Sequence, residues 1–220
     1  MRAKLQAETE KLRAFWSKQG SLMRSTVERT PFIRLHGNIG GKSDKSDIRQ
    51  LHNRFGWQAG EGRLCAGTLY RSEKFINLAD HDRCATKALG QTVHLEHTVP
   101  VAALARRIAG YERVTPDDTI AWLLGHSITA AVTDGINCER RKMVQKGQAW
   151  TTHSLVGGHP DEGLPFRRYN PKEHSPIWDL VKGLPIDPDS FTFADHRANI
   201  ATVLGWAGLD DWAERVSAIE

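Results

Sequence analysis

The sequence predicts an α+β fold, a mainly helical domain with a short strand–strand–helix unit set into it. Two observations point there. Helical patterning of apolar residues occupies both ends of the chain. Between them, two runs rich in β-prone residues, 93–99 and 127–133, stand before a basic stretch, 137–146, with helix-forming composition. The chain therefore divides into an N-terminal helical and β region over 1–90, a core over 91–146, and a loop-rich and helical region over 147–220. The last reads as part of the same domain.

Composition limits the class of protein. With 220 residues the chain can bury a sizeable core. Its 40% hydrophobic and 25% charged content is that of a globular protein rather than a disordered one. A net charge of +4 is compatible with a polyanionic partner. The three cysteines, Cys65, Cys84 and Cys138, are odd in number and widely spaced. That argues against a disulfide framework, and without a CxxC pair a four-cysteine zinc site is excluded. The first residues lack an apolar signal-peptide core, and no apolar run approaches membrane-spanning length. A cytoplasmic location and no membrane partner are the expectations.

Each element has its own warrant. Residues 2–19 place Leu5, Leu12, Phe15 and Trp16 on one side of a helix, with Lys4, Glu8, Glu10, Lys11 and Lys18 largely elsewhere, and Gly20 as a stop. Residues 37–47 form a glycine-rich polar loop. Its Gly41-Lys42-Ser43 lacks the glycine a phosphate loop needs five positions before the Gly-Lys pair, where His36 stands. Asp47 is placed to cap a short helix through Phe55. A strand is expected near Thr68-Leu69-Tyr70, a helix over 79–89 and another over 101–108. Pro116-Asp117-Asp118 opens a further helix, carrying Ile120, Leu123 and Leu124 inward and ending near Gly125. Asp134-Gly135 signals a turn after the second strand. Residues 157–176 read as loop. From Ala194 onward Trp206, Leu209, Trp212, Val216 and Ile219 mark a helical packing face.

The stretch His94-Leu95-Glu96-His97-Thr98-Val99-Pro100 is the centre of interest. Pro100 ends a strand because it cannot donate to a ladder. Strand alternation puts His94 and Glu96 on one face and His97 on the other, unless the chain turns there. Polar groups on an apolar strand are costly to bury without a partner or a metal.

An acidic residue, a histidine, two β-prone residues and a proline, followed by a strand and an Asn-bearing helix, resemble the HNH nucleases of the ββα-metal superfamily. Here the strand-end motif is Glu96-His97-Thr98-Val99-Pro100. Asn137 lies five residues before Lys142, as a last ligand on the helix would. The family's middle asparagine, which opens the second strand, has His126 as its nearest counterpart. The resemblance covers about residues 91–146. It departs from the family in lacking zinc-binding cysteine pairs, in the replaced middle residue and in the long insertion between His97 and His126.

The resemblance implies a metal-dependent endonuclease acting on DNA, possessing an HNH-like ββα-metal core embedded in the larger domain. His97 would be the general base and Glu96 a ligand to Mg²⁺ or Mn²⁺. Asn137 would be a second ligand, and His126 would either orient His97 or complete the metal site. Arg140, Arg141, Lys142 and Lys146, with Arg167 and Arg168, would meet phosphates. The residue types suit the chemistry: a neutral imidazole is a base near pH 7, and a carboxylate with an amide or imidazole suits a hard cation. Plainer readings stand beside these. His94 is structural or supports a ligand, Asn137 caps a helix, and the basic run is a solvated face. A restriction or defence role is analogy alone, and a homodimer would suit a palindromic target. A non-catalytic DNA-binding module and a metal-independent base-excising enzyme are the rival functions.

Overall fold

The computed structural model describes residues 1–20, 65–84, 92–99, 104, 115–133, 164–166 and 175–219. Helix α1 (Arg2–Trp16) leads to strand β1 (Tyr70–Ser72), a short helix α2 (Glu73–Asn77) and strand β2 (Val93–His97). Helix α3 (Pro116–His126), strand β3 (Thr129–Thr133), β4 (Ile177–Asp179) and β5 (Leu184–Pro185) follow. Helices α4 (Phe193–Trp206) and α5 (Asp210–Ser217) close the described chain. The fold is α+β, with helices packed on a mixed five-stranded sheet of order β2-β3-β1-β4-β5. β1 and β3 run parallel; the other neighbours are antiparallel.

Helices α3 and α4 begin at side-chain caps. Thr115 accepts from the Asp118 amide, and the Asp118 carboxylate accepts from the Thr115 amide, a capping box before Pro116. Thr192 and Asp195 repeat the device at α4. The C-terminal helical run is two helices rather than one. Gly208, at φ 67°, takes the left-handed conformation that turns the chain between α4 and α5. The predicted packing face survives the break, since Leu209, Trp212 and Val216 are buried.

The main core lies between one sheet face and the helices. Ala130 and Val132 of β3 belong to one buried cluster with Leu123 and Leu124 of α3, Val203 and Leu204 of α4, and Val216 of α5. A smaller cluster of Cys65, Phe75, Val93, Leu95 and Ala131 covers the other face. β3 is thus buried on both faces, so its sequence reads as a continuous apolar run rather than an alternation.

Several expectations shift. The strand near residue 68 begins at Tyr70 and ends at Ser72. Of the helix expected over 79–89, a single 3₁₀ turn stands at Asp80–Asp82 and 85–89 lie outside the described residues, while the short helix α2 comes earlier, at Glu73–Asn77. Strands β4 and β5 had no counterpart in the sequence reading. The loop at 37–47, the helix ending at Phe55, the turn at 134–135 and the helix at 137–146 lie outside the described residues, as does 101–108 apart from the buried, helical Leu104.

Glu8, placed with the polar side of α1, is buried. Its carboxylate pairs with the buried guanidiniums of Arg71 and, at 2.9 Å, Arg83, while Lys11 reaches it at 2.9 Å. Burial pushes this carboxyl up, but the charge of Arg71 and the hydrogen bonds from Arg83 and Lys11 outweigh it and bring it to about 2. Burial in turn lowers Arg71, whose charge Glu8 supports. Arg71 also donates to the carbonyls of Ala66 and Thr68, in a turn where Cys65 adopts φ 48°.

Candidate active site

The site begins with the pairing of β2 and β3. Their antiparallel register runs from Val93 opposite Thr133 to His97 opposite Thr129. The 93–97 strand and the second strand are therefore as expected, with β3 starting two residues later than predicted. β2 stands at the edge of the sheet. Val93 and Leu95 point into the smaller cluster, which fixes the parity of the strand. His94 and Glu96 lie on the opposite face, where His94 Nε2 comes to 3.6 Å from Glu96 Oε2. Both are partly buried.

Pairing stays regular through His97 and changes immediately after it. The amides of Thr98 and Val99 both donate to the Ile128 carbonyl, at 3.0 and 3.4 Å. Two residues then oppose one, the signature of a bulge, and bulges bend a strand and redirect side chains beside functional sites. The bend thus falls after His97, which keeps its place in the alternation. Alternation puts Glu96 and His97 on opposite faces, at the last regular position of an edge strand. Thr98 and Val99 are both buried, which anchors the bend. The Thr98 hydroxyl has no hydrogen-bond partner among the described residues.

His126 does not open the second strand. It is the last residue of α3. Its Nδ1 donates to the Trp122 carbonyl at 2.8 Å, and its ring stacks on Trp122 with centroids 4.3 Å apart and packs against Phe193 at 5.3 Å. The ring thus ties the last residue of α3 back to its preceding turn, and the helix runs through Gly125. Gly125 is a site of close approach rather than a stop: a Cβ there would come within 3.2 Å of Arg197 and Ile219 side-chain atoms. The remaining candidates, Asn137, Arg140, Arg141, Lys142, Lys146, Arg167 and Arg168, lie outside the described residues.

Sequence reasoning left His196 out of the site, and the geometry supports that. His196 Nε2 donates to the Leu124 carbonyl at 3.0 Å, so Nδ1 must accept from the Tyr70 hydroxyl at 2.8 Å. Asn199 donates to Tyr70 Oη at 3.2 Å and to Asp179 Oδ2 at 2.6 Å. All four side chains are buried, and the chain of bonds ties β1, β4, α3 and α4 together. Burial brings His196 down to about 3, outweighing the help of the Leu124 carbonyl, so it is neutral in the folded protein.

The donor chemistry at β2 suits a hard cation in kind. Mg²⁺ needs only one or two protein oxygens and keeps several waters, and Glu96 offers one anionic oxygen pair. Among the described residues no three His, Cys, Asp or Glu side chains gather to hold a metal ion. No described helix is long and apolar enough to cross a membrane. No protein-family model, curated protein or solved structure matches the chain.

Proposed function

We propose that this protein is a metal-dependent endonuclease of the HNH type, hydrolysing phosphodiester bonds in DNA. One observation carries the reading. Glu96 and His97 end an edge strand that pairs antiparallel with β3 and bends at a bulge directly after His97. That is the strand pair an HNH-like core requires, with the acid–histidine step at its end. The helix bearing Asn137 would follow.

At such an end the two side chains flank whatever lies against the sheet edge. His97 would take a proton from water as the water oxygen attacks phosphorus and the bond to the leaving sugar oxygen breaks. Glu96, steadied by His94, would hold Mg²⁺ or Mn²⁺ together with Asn137. The metal, when bound, supplies positive charge for the phosphate oxygens. His126 would keep its place at the end of α3 and act on the site only through the segment leading into β3. The basic residues over 140–146, with Arg167 and Arg168, would supply phosphate contacts. Cleavage of duplex DNA with Mg²⁺ or Mn²⁺, abolished by chelator, is the expected result. Binding without cleavage in either metal would favour the DNA-binding module, and cleavage or base release that persists in chelator would favour the metal-independent enzyme.

A further inference from the structure

We propose that the groove between α1 and the β4–β5 turn is a second contact surface for the DNA backbone, on the same end of the sheet as His97. The inference rests on the reading of the protein as a DNA-acting enzyme and extends it to residues that the HNH resemblance does not reach. The groove has a volume of about 410 Å³, and α1 lines it with Arg2, Gln6, Thr9, Glu10 and Arg13. Positions 2, 6, 9 and 13 recur at spacings of four, three and four, so they share one helix face. Of the buried residues of α1, Leu5 forms part of the groove wall, while Glu8, Leu12 and Trp16 do not line it. The opposite wall is the turn at 180–183, which brings Lys182.

Three cations thus line the groove against one acid, Glu10, whose carboxylate is taken by Gln6 at 3.3 Å. Among the described residues neither Arg2 nor Arg13 makes an ion pair. The Arg13 guanidinium lies 4.9 Å from the centre of the Trp206 ring, which holds it in place before any ligand arrives. Lys182 bonds Asp195 at 2.8 Å through an exposed pair that a phosphate can share.

The register places the groove. His97 pairs with Thr129, one step before the Ala130–Tyr70 pair. Tyr70 pairs with Asp179, and the Leu180 amide donates to Leu69 in the next row. His97, Thr129, Leu69 and Leu180 therefore form one row across the sheet, and the turn that walls the groove continues from the β4 end of it. From β2 to β4 is three strand spacings, about 14 Å, or about four base-pair rises of duplex. Arg2 and Arg13 are about 16 Å apart along the helix axis. A backbone crossing this end of the sheet would meet His97 first and the groove a few nucleotides away.

The test is binding of a fluorescent random-sequence duplex against salt concentration, in chelator to prevent cleavage. The triple variant Arg2→Gln/Arg13→Gln/Lys182→Gln should shallow the log–log slope by about 2.7 if each residue meets one phosphate. Arg13→Lys should keep the parental slope. As a second measurement, adding duplex to the unaltered protein should slow backbone hydrogen exchange in α1 and over 180–183. A parental slope in the triple variant, or unchanged exchange on DNA binding, overturns the groove and leaves the enzyme reading intact. A parent protein that binds no duplex overturns both.

Discussion

The sharpest structural prediction concerns Glu8→Gln. The substitution keeps the side chain's shape and removes the negative charge between Arg71 and Arg83. The carboxyl falls from its ordinary 4.5 to about 2 on folding. That difference of about 2.5 units corresponds to about 3 kcal/mol of stability at neutral pH. Glu8 is only 3% exposed, so solvent screening takes little from this. Removing one partner of a buried ion cluster independently suggests about 3–5 kcal/mol. In a chain of this size each kcal/mol moves the midpoint by about 2–4 °C, so a fall of about 6–12 °C or more is expected. Because the folded pKa is depressed, the contribution is full above 4.5 and is lost as pH falls toward 2. Thermal and urea unfolding of both proteins, at neutral pH and in steps down to pH 3, are the assay. The gap between them should be widest at neutral pH and narrow below pH 4.5. A gap under about 1 kcal/mol at pH 7, or one that stays constant down to pH 3, would refute the argument from the buried charge cluster.

Three further predictions follow from the site and its supports. His196, held neutral at about 3 against an ordinary 6.5, favours the folded state above 6.5 and progressively less below it. His196→Gln should therefore unfold with a shallower pH dependence between 6.5 and 4.5, by about 1.4 kcal/mol per pH unit, and parallel curves would contradict it. Thr98→Val removes a buried hydroxyl without a partner among the described residues and should leave stability unchanged or raise it by about 1 kcal/mol; a loss of that size in urea unfolding would show that the hydroxyl is bonded. Glu96→Gln should raise the Mg²⁺ or Mn²⁺ concentration giving half-maximal cleavage, and an unchanged titration with full maximal rate would remove Glu96 from the metal.

The parts legible in the sequence are those whose signals are local. The run 93–97 alternates apolar and polar residues, so both the strand and the shared face of His94 and Glu96 could be read. Pro116-Asp117-Asp118 marks the start of α3 within three residues. What was missed depends on distance along the chain. Glu8 reads as a surface residue because its partners stand 63 and 75 residues away. Strands of two or three residues, such as β4 and β5, are too short to show a period. Gly125 looked like a stop and His126 like the start of a strand, because the glycine's reason is the close approach of Arg197 in α4 and of Ile219 just after α5. The Asp195-His196 pair mimics an acid–histidine motif, yet Asp195 closes a capping box and His196 sits in a buried bond chain.

The central claim is that the end of β2 is a phosphodiester-cleaving site, and one comparison tests it most directly. Supercoiled plasmid is incubated with the parent protein and with His97→Ala, in Mg²⁺, Mn²⁺ or chelator, while DNA binding is measured alongside. The parent should nick or linearise the plasmid with a divalent ion and not with chelator. His97→Ala should still bind DNA and cleave on the order of 10²–10⁴-fold more slowly. Cleavage at the parental rate by His97→Ala, or none by the parent in either metal, would contradict the account.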